Sequence, residues 1–275
     1  MSHLVAYLGN DSEHLECALV PARAALHARL PSDTNGWGLG FVQGGDVLLQ
    51  KRPRALSSEV DFFGHARDLR ADAFIARSGL ADDARISADN ADPFRFRWWL
   101  FGSTGAVDGF DKVREQLLAS VPDFLRRNIR GSSASEHVFH LFLAFLHDGG
   151  LLETMAVEPE PVSRALHESL SFLDRLLRSA GAPNARMAMV ATNGRCLVAR
   201  SSDIEVQYLA IEGIMDCTVC RQRNVVDSDD RRISHEHLRA VVVEAGGQSG
   251  LRAGWTLVPP GMGLSVGADR VPQLS

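Results

Sequence analysis

The chain has 275 residues, 45% hydrophobic and 23% charged, with a formal net charge of −5. A chain of that length and composition can bury a core without disulfides or a structural metal, and its acidic balance argues against nucleic acid or an anionic membrane as partner. Of the 29 basic residues only Lys51 and Lys112 are lysines, an arginine bias that reads as coding composition and not as a phosphate-binding surface.

Residues Leu4 to Leu8 form a short apolar run read as a buried strand that stops at Gly9-Asn10. Asp11 or Ser12 can cap a helix reaching toward Leu30, begun or kinked by Pro21. Strands follow over Gly38–Gln43 and Val47–Lys51, joined through Gly44-Gly45-Asp46 as a hairpin. Ser57 to Leu69 reads as a helix, and Ala73–Ser78 and Trp98–Gly102 as strands. From Asp108 the period becomes helical, with Phe110, Val113, Leu117 and Leu118 on one face and Pro122 as terminator. Ser133 to His147 carries a broad apolar stripe, and a second long helix follows Glu158-Pro159-Glu160-Pro161 and runs to about Ala180. Strands return at Met187–Ala191 and Cys196–Ala199, with Asn193-Gly194 as the hairpin turn, then at Val206–Ile211, Arg239–Val243 and Trp255–Val258. Strands, then helices, then strands suit antiparallel sheets with helical layers better than a doubly wound parallel sheet. We expect one domain spanning residues 1–275.

No run of about 18 apolar residues is present, so no membrane span is expected. The N-terminus lacks a basic region followed by an apolar core, which reads as the absence of a signal peptide. The four cysteines, Cys17, Cys196, Cys217 and Cys220, are then expected as reduced thiols in the cytoplasm.

Gly36-Trp37-Gly38-Leu39-Gly40-Phe41 spends three glycines at a strand start, which is costly unless the backbone must approach something closely or adopt unusual dihedrals. Phe74-Ile75-Ala76-Arg77-Ser78 follows, then Asn90-Ala91-Asp92-Pro93-Phe94, then Phe101-Gly102-Ser103-Thr104-Gly105, then Ser133-Ala134-Ser135-Glu136 at a helix start. In order and spacing this resembles the stand-alone class II glutamine amidotransferases. Their pattern opens Met-Cys-Arg-Leu-Leu-Ala-Tyr-Leu-Gly, matched here by Met1-Ser2-His3-Leu4-Val5-Ala6-Tyr7-Leu8-Gly9. It continues through Asp-Gly-Trp-Gly, His-x-Arg, Asn-Thr-His-Pro-Phe, Phe-x-His-Asn-Gly and Thr-Asp-Ser-Glu. The resemblance covers residues 1 to about 147, with a closing Trp255-x-x-Val258-Pro259 segment of similar tone.

The resemblance implies an N-terminal-nucleophile fold, an α+β, four-layer α/β/β/α sandwich of antiparallel sheets with the first strand central. It also implies roles. An N-terminal cysteine attacks the glutamine amide with its own α-amine as base. Asn and Gly of the His-Asn-Gly motif stabilise the oxyanion. The arginine of His-x-Arg pairs with the substrate's α-carboxylate, and the aspartate of Thr-Asp-Ser-Glu takes the α-ammonium. Here the nucleophile position is Ser2, the oxyanion positions are Thr104 and Gly105, and the ammonium position is Ala134. The three motif histidines are Ile75, Asp92 and Ser103. Arg77 is kept, with Trp37 and Gly38 as substrate-side positions.

The expected function is therefore an amidotransferase-like protein, degenerate for glutamine hydrolysis, that binds a small-molecule ligand or a protein partner. The alternative is an amidohydrolase in which Ser2 attacks a γ-glutamyl or related amide. No cofactor is expected. Cys217-x-x-Cys220 with His235-x-His237 has zinc-compatible residue types, but a bare CxxC is weak evidence, so no metal is assigned and the histidines are expected in a loop.

Overall fold

The computed structural model describes residues 3–29, 36–53, 59–79, 87–222, 234–247 and 250–275. Strand β1 (His3–Gly9) leads into helix α1 (Leu15–Leu19), which passes at Pro21 into a 3-10 turn (Val20–Leu26). Next come β2 (His27–Arg29), β3 (Trp37–Gln43), β4 (Asp46–Arg52), β5 (Glu59–Asp61), α2 (Phe62–Ala66), β6 (Ala73–Ser78), a 3-10 turn (Ala88–Asn90), β7 (Phe94–Phe96) and β8 (Trp99–Ala106). The helical stretch is α3 (Phe110–Ala119), α4 (Asp123–Arg126), α5 (Ala134–Asp148) and α6 (Pro159–Ser179). Then follow β9 (Arg186–Thr192), β10 (Leu197–Ser202), β11 (Val206–Ile214), α7 (Thr218–Gln222), β12 (His235–Ala245), β13 (Thr256–Leu257), β14 (Gly263–Val266) and β15 (Pro272–Leu274).

Two antiparallel sheets carry the fold, ordered β13-β11-β12-β1-β6-β3-β4 and β15-β14-β10-β9-β8-β7, with β2 and β5 as a separate pair. β1 lies at the centre of the first sheet, as the resemblance implies, between β12 and β6. Side-chain alternation then divides its seven buried residues between two cores. Leu4, Ala6 and Leu8 meet Leu100, Val190, Leu197 and Leu264 of the second sheet. Val5 and Tyr7 face outward onto Leu15, Leu19, Phe62 and Phe63 of the first helical layer. A third core lies between the second sheet and α3, α5 and α6, around Trp99, Phe101, Phe139, Phe142 and Leu173. The layers therefore run helix, sheet, sheet, helix, the expected α/β/β/α order.

Two expected helices are shorter than their sequence pattern. The helix toward Leu30 is α-helical only to Leu19, because Pro21 lacks the N–H that would continue it. Within the expected helix Ser57–Leu69, whose first two residues lie outside the described ones, Glu59–Asp61 instead pairs with β2, Asp61 opposite His27 and Glu59 opposite Arg29, and among the described residues the helix is Phe62–Ala66.

Candidate functional site

Arg77 lies on β6, opposite Leu4 of β1 on one side and Gly38 of β3 on the other. It shares the face of Ile75, which packs between the sheets, so its guanidinium is carried into the interlayer space, and the residue is 2% exposed. An isolated cation there would be costly. Its partner is Asp92, whose Oδ2 lies 3.5 Å from Arg77 Nη1. The same Nη1 donates to the Gly79 carbonyl at 2.8 Å.

Gly38 makes the approach of Asp92 possible. A Cβ at Gly38 would stand 2.0 Å from the Asp92 carbonyl oxygen and 2.9 Å from Pro93 Cδ. The glycine-rich strand is thus the seat of the Asp92-Pro93 turn. Trp37, one residue earlier, points to the opposite face, where its ring packs edge-on to Phe62 and against His65. Its side chain belongs to the outer helical layer and not to the space around Arg77.

The second oxygen of Asp92 organises the neighbouring elements. Oδ1 accepts from the Ser103 amide of β8 at 2.7 Å and from the Ser135 hydroxyl of α5 at 2.7 Å. Since Ser135 spends its proton on Asp92, Ser103 must donate to Ser135 across their 2.7 Å contact. Asn90 ties the same turn to the start of α5 by accepting from the Ser132 amide. Glu136 accepts from the Arg130 and Gly131 amides, and Ser133 caps α5 through the Glu136 amide. Burial raises the Glu136 carboxyl above its ordinary range, against those amide bonds and the charge of Lys51. Lys51 lies over the Phe94 ring and donates to the Ala88 carbonyl. Burial lowers its pKa, while Asp92 and Glu136 oppose that shift.

Thr104 and Gly105 follow Ser103 on β8, opposite Ala188 and Met187 of β9. Thr104 is buried and, by alternation, shares the interlayer face of Leu100 and Gly102. Gly105 has φ +115°, and a Cβ there would lie 2.0 Å from the Arg186 carbonyl oxygen, so the glycine is required by the backbone itself. Ala134, at the first turn of α5, packs its methyl on the helical-layer core. Ser2 lies outside the described residues. The neighbouring His3 is buried opposite Ser78, and its Nε2 lies 2.9 Å from Glu244 Oε1. Arg252 grips both oxygens of Glu244, at 2.7 and 2.9 Å, and Gln207 Nε2 donates to Oε2. Burial would raise this carboxyl, but the bonds from His3 and Arg252 outweigh it and bring its pKa down to about 2.

The structure thus joins Arg77, Gly38, Asp92, Ser103 and Ser135 in one buried assembly, and directs the Trp37 and Ala134 side chains into other packing. Asp92, Ser103 and Ser135 escape sequence reasoning as a unit, since the first two read only as lost histidines. The opposite charges of Arg77 and Asp92 were the available signal. A surface groove of about 460 Å³ lined by Phe145, Leu151, Arg164 and Glu168 lies at the far end of α5 from this assembly. Cys217 and Cys220 sit at the start of α7, while His235 and His237 are on β12 and not in a loop.

Similar folds are found among solved structures. A glutamine aminotransferase class-II domain protein from Silicibacter pomeroyi superposes with a TM-score of 0.61 at 20% identity, covering 99% of this chain and 98% of that one. A predicted glutamine amidotransferase from Pseudomonas aeruginosa gives 0.56 at 14% identity, covering 98% and 94%. The glutamine phosphoribosylpyrophosphate amidotransferase of B. subtilis gives 0.53 at 13% identity, covering 99% of this chain and 48% of that longer one. No family model and no curated protein matches the chain. The chain has the fold of class II glutamine amidotransferases. Among its described residues no helix is long and apolar enough to cross a membrane.

Proposed function

We propose that this is a class II glutamine amidotransferase-like protein that has ceased to hydrolyse glutamine and works in the cytoplasm by binding a small-molecule ligand or a protein partner. The observation that carries this reading is the Arg77–Asp92 pair. In the resembling family the matching arginine receives the substrate's α-carboxylate. Here a carboxylate of the chain itself stands 3.5 Å from that guanidinium, with both side chains buried. A free amino acid would have to displace a tethered counter-ion that is also bonded to β8 and α5. Thr104 at an oxyanion position and the methyl of Ala134 at the ammonium position remove two further contacts with glutamine. Loss of one oxyanion donor alone costs about two to three powers of ten in rate.

The test is ammonia release from glutamine by the purified chain. Wild type and Ser2→Cys are both expected at background, because restoring a thiol leaves Arg77 occupied and Ala134 mute. Turnover by the wild type that disappears in Ser2→Ala would reverse the conclusion. It would favour a Ser2-dependent amidohydrolase, for which γ-glutamyl amides are the substrates to try.

A further inference from the structure

Cys17, Cys217, Cys220 and His235 come from three separate stretches of chain, yet their ligand atoms all lie within 4.8 Å of one another. Cys17 is on α1, Cys217 immediately precedes α7, Cys220 is one turn on, and His235 is the first residue of β12. The three-residue spacing of Cys217 and Cys220 puts both on one side of the short helix. Cys17 Sγ lies 3.6 Å from Cys220 Sγ, and Cys220 Sγ lies 3.4 Å from His235 Nε2. In a tetrahedral zinc centre the known bond lengths set sulfur–sulfur edges of about 3.8 Å and sulfur–nitrogen edges of about 3.5 Å. The two distances are close to those edges, and none of the four cysteines is in a disulfide.

We propose that these four side chains form a closed zinc site of the Cys3His type. Three thiolates and one imidazole match the softness and the coordination number of zinc. On binding, each thiol gives up its proton to solvent and forms one zinc–sulfur bond, while neutral His235 binds through Nε2. Four protein ligands leave no place for water or substrate, so the metal is structural. His235 is also held in orientation. The ring of His14 packs on it at 4.1 Å between centroids, and His14 is itself bonded to Asp11 at 2.7 Å. Isolated thiols buried as small apolar groups are common, but that does not account for a ring nitrogen presented to the same point.

The work such a site would do is local. α7 has five residues, too few to hold a helix without tertiary support. A bond from each of Cys217 and Cys220 to a metal shared with α1 and β12 would fix it. The site lies at the opposite end of β12 from Glu244, nine residues and roughly 30 Å away, and is independent of the proposed function.

Metal analysis of the purified full-length chain should find one zinc per molecule, and replacing it with cobalt(II) should give the intense ligand-field bands of tetrahedral thiolate coordination. Cys17→Ser and His235→Asn should each weaken zinc binding by at least about 10-fold, whereas His237→Ala should retain it. If Cys17→Ser does not fold, the wild-type cobalt spectrum still decides. A metal-free wild type that gives only an octahedral cobalt spectrum overturns the site, as does a Cys17–Cys220 disulfide in the purified protein. Full zinc retention in Cys17→Ser, with loss in His237→Ala, overturns the ligand set.

Discussion

At the scale of single residues the molecule turns on one exchange of charge. Asp92 faces the buried guanidinium of Arg77 and neutralises it from inside the fold. Removing one member of a buried ion pair leaves the other uncompensated, at a cost of about 3–5 kcal/mol, whereas removing both is far milder. Urea unfolding of Asp92→Asn, Arg77→Met and the double variant should therefore be strongly non-additive, with the double variant more stable than the sum of the single losses. Additive losses would mean that the two side chains are neighbours without being partners, and the case for an occupied arginine would fall with them.

At the scale of elements, β3 is fitted to the turn it carries. Gly38→Ala would drive a methyl into the Asp92 carbonyl oxygen, a backbone atom that cannot rotate away. The expected loss is at least the roughly 1–3 kcal/mol of ordinary overpacking, read as a lower melting temperature. A variant as stable as the wild type would show that the Asp92-Pro93 turn is not seated on β3. This element also shows what sequence can and cannot disclose. The three glycines announced a close approach without saying by what. The hairpins β3–β4 and β9–β10 were legible because Gly44-Gly45 and Asn193-Gly194 are local signals, and α5 and α6 because their apolar stripes are long. β5 was not legible, since its strand character comes from pairing with β2 and not from Glu59-Val60-Asp61 themselves. Cys17 was invisible as a partner of Cys220 for the same reason: the two are neighbours only once α1 and α7 have packed. The Arg77–Asp92 contact likewise depends on a turn folding back over a strand.

At the scale of the whole molecule, two buried groups in different layers should make the fold acid-labile in two stages. His140 of α5 donates through Nδ1 to the Glu136 carbonyl, and burial lowers its pKa to about 4. Since an unfolded histidine takes up its proton near pH 6.5, stability falls as pH drops from there to about 4. Glu244, with its pKa at about 2, favours the folded state fully above the ordinary carboxylate range, and this contribution is lost as pH falls from about 4.5 toward 2. Each stage is worth up to roughly 3 kcal/mol. Urea midpoints measured from pH 7.5 to 3 should decline in both windows, and His140→Gln should make the upper decline shallower without abolishing it, because burial lowers the pKa of His137 as well. A midpoint unchanged between pH 7 and 4.5 would refute the reading of His140. Glu244 has one more consequence, because it and His235 belong to the same strand. β12 runs between two fixed points, the cysteine–histidine cluster at its start and the His3–Glu244–Arg252 cluster near its end. Sliding β12 by one residue along β1 would turn every side chain to the opposite face, withdrawing His235 and Glu244 from their partners at once. The alignment of the central strands is thus checked twice, by chemistry at each end that an apolar strand alone would not supply.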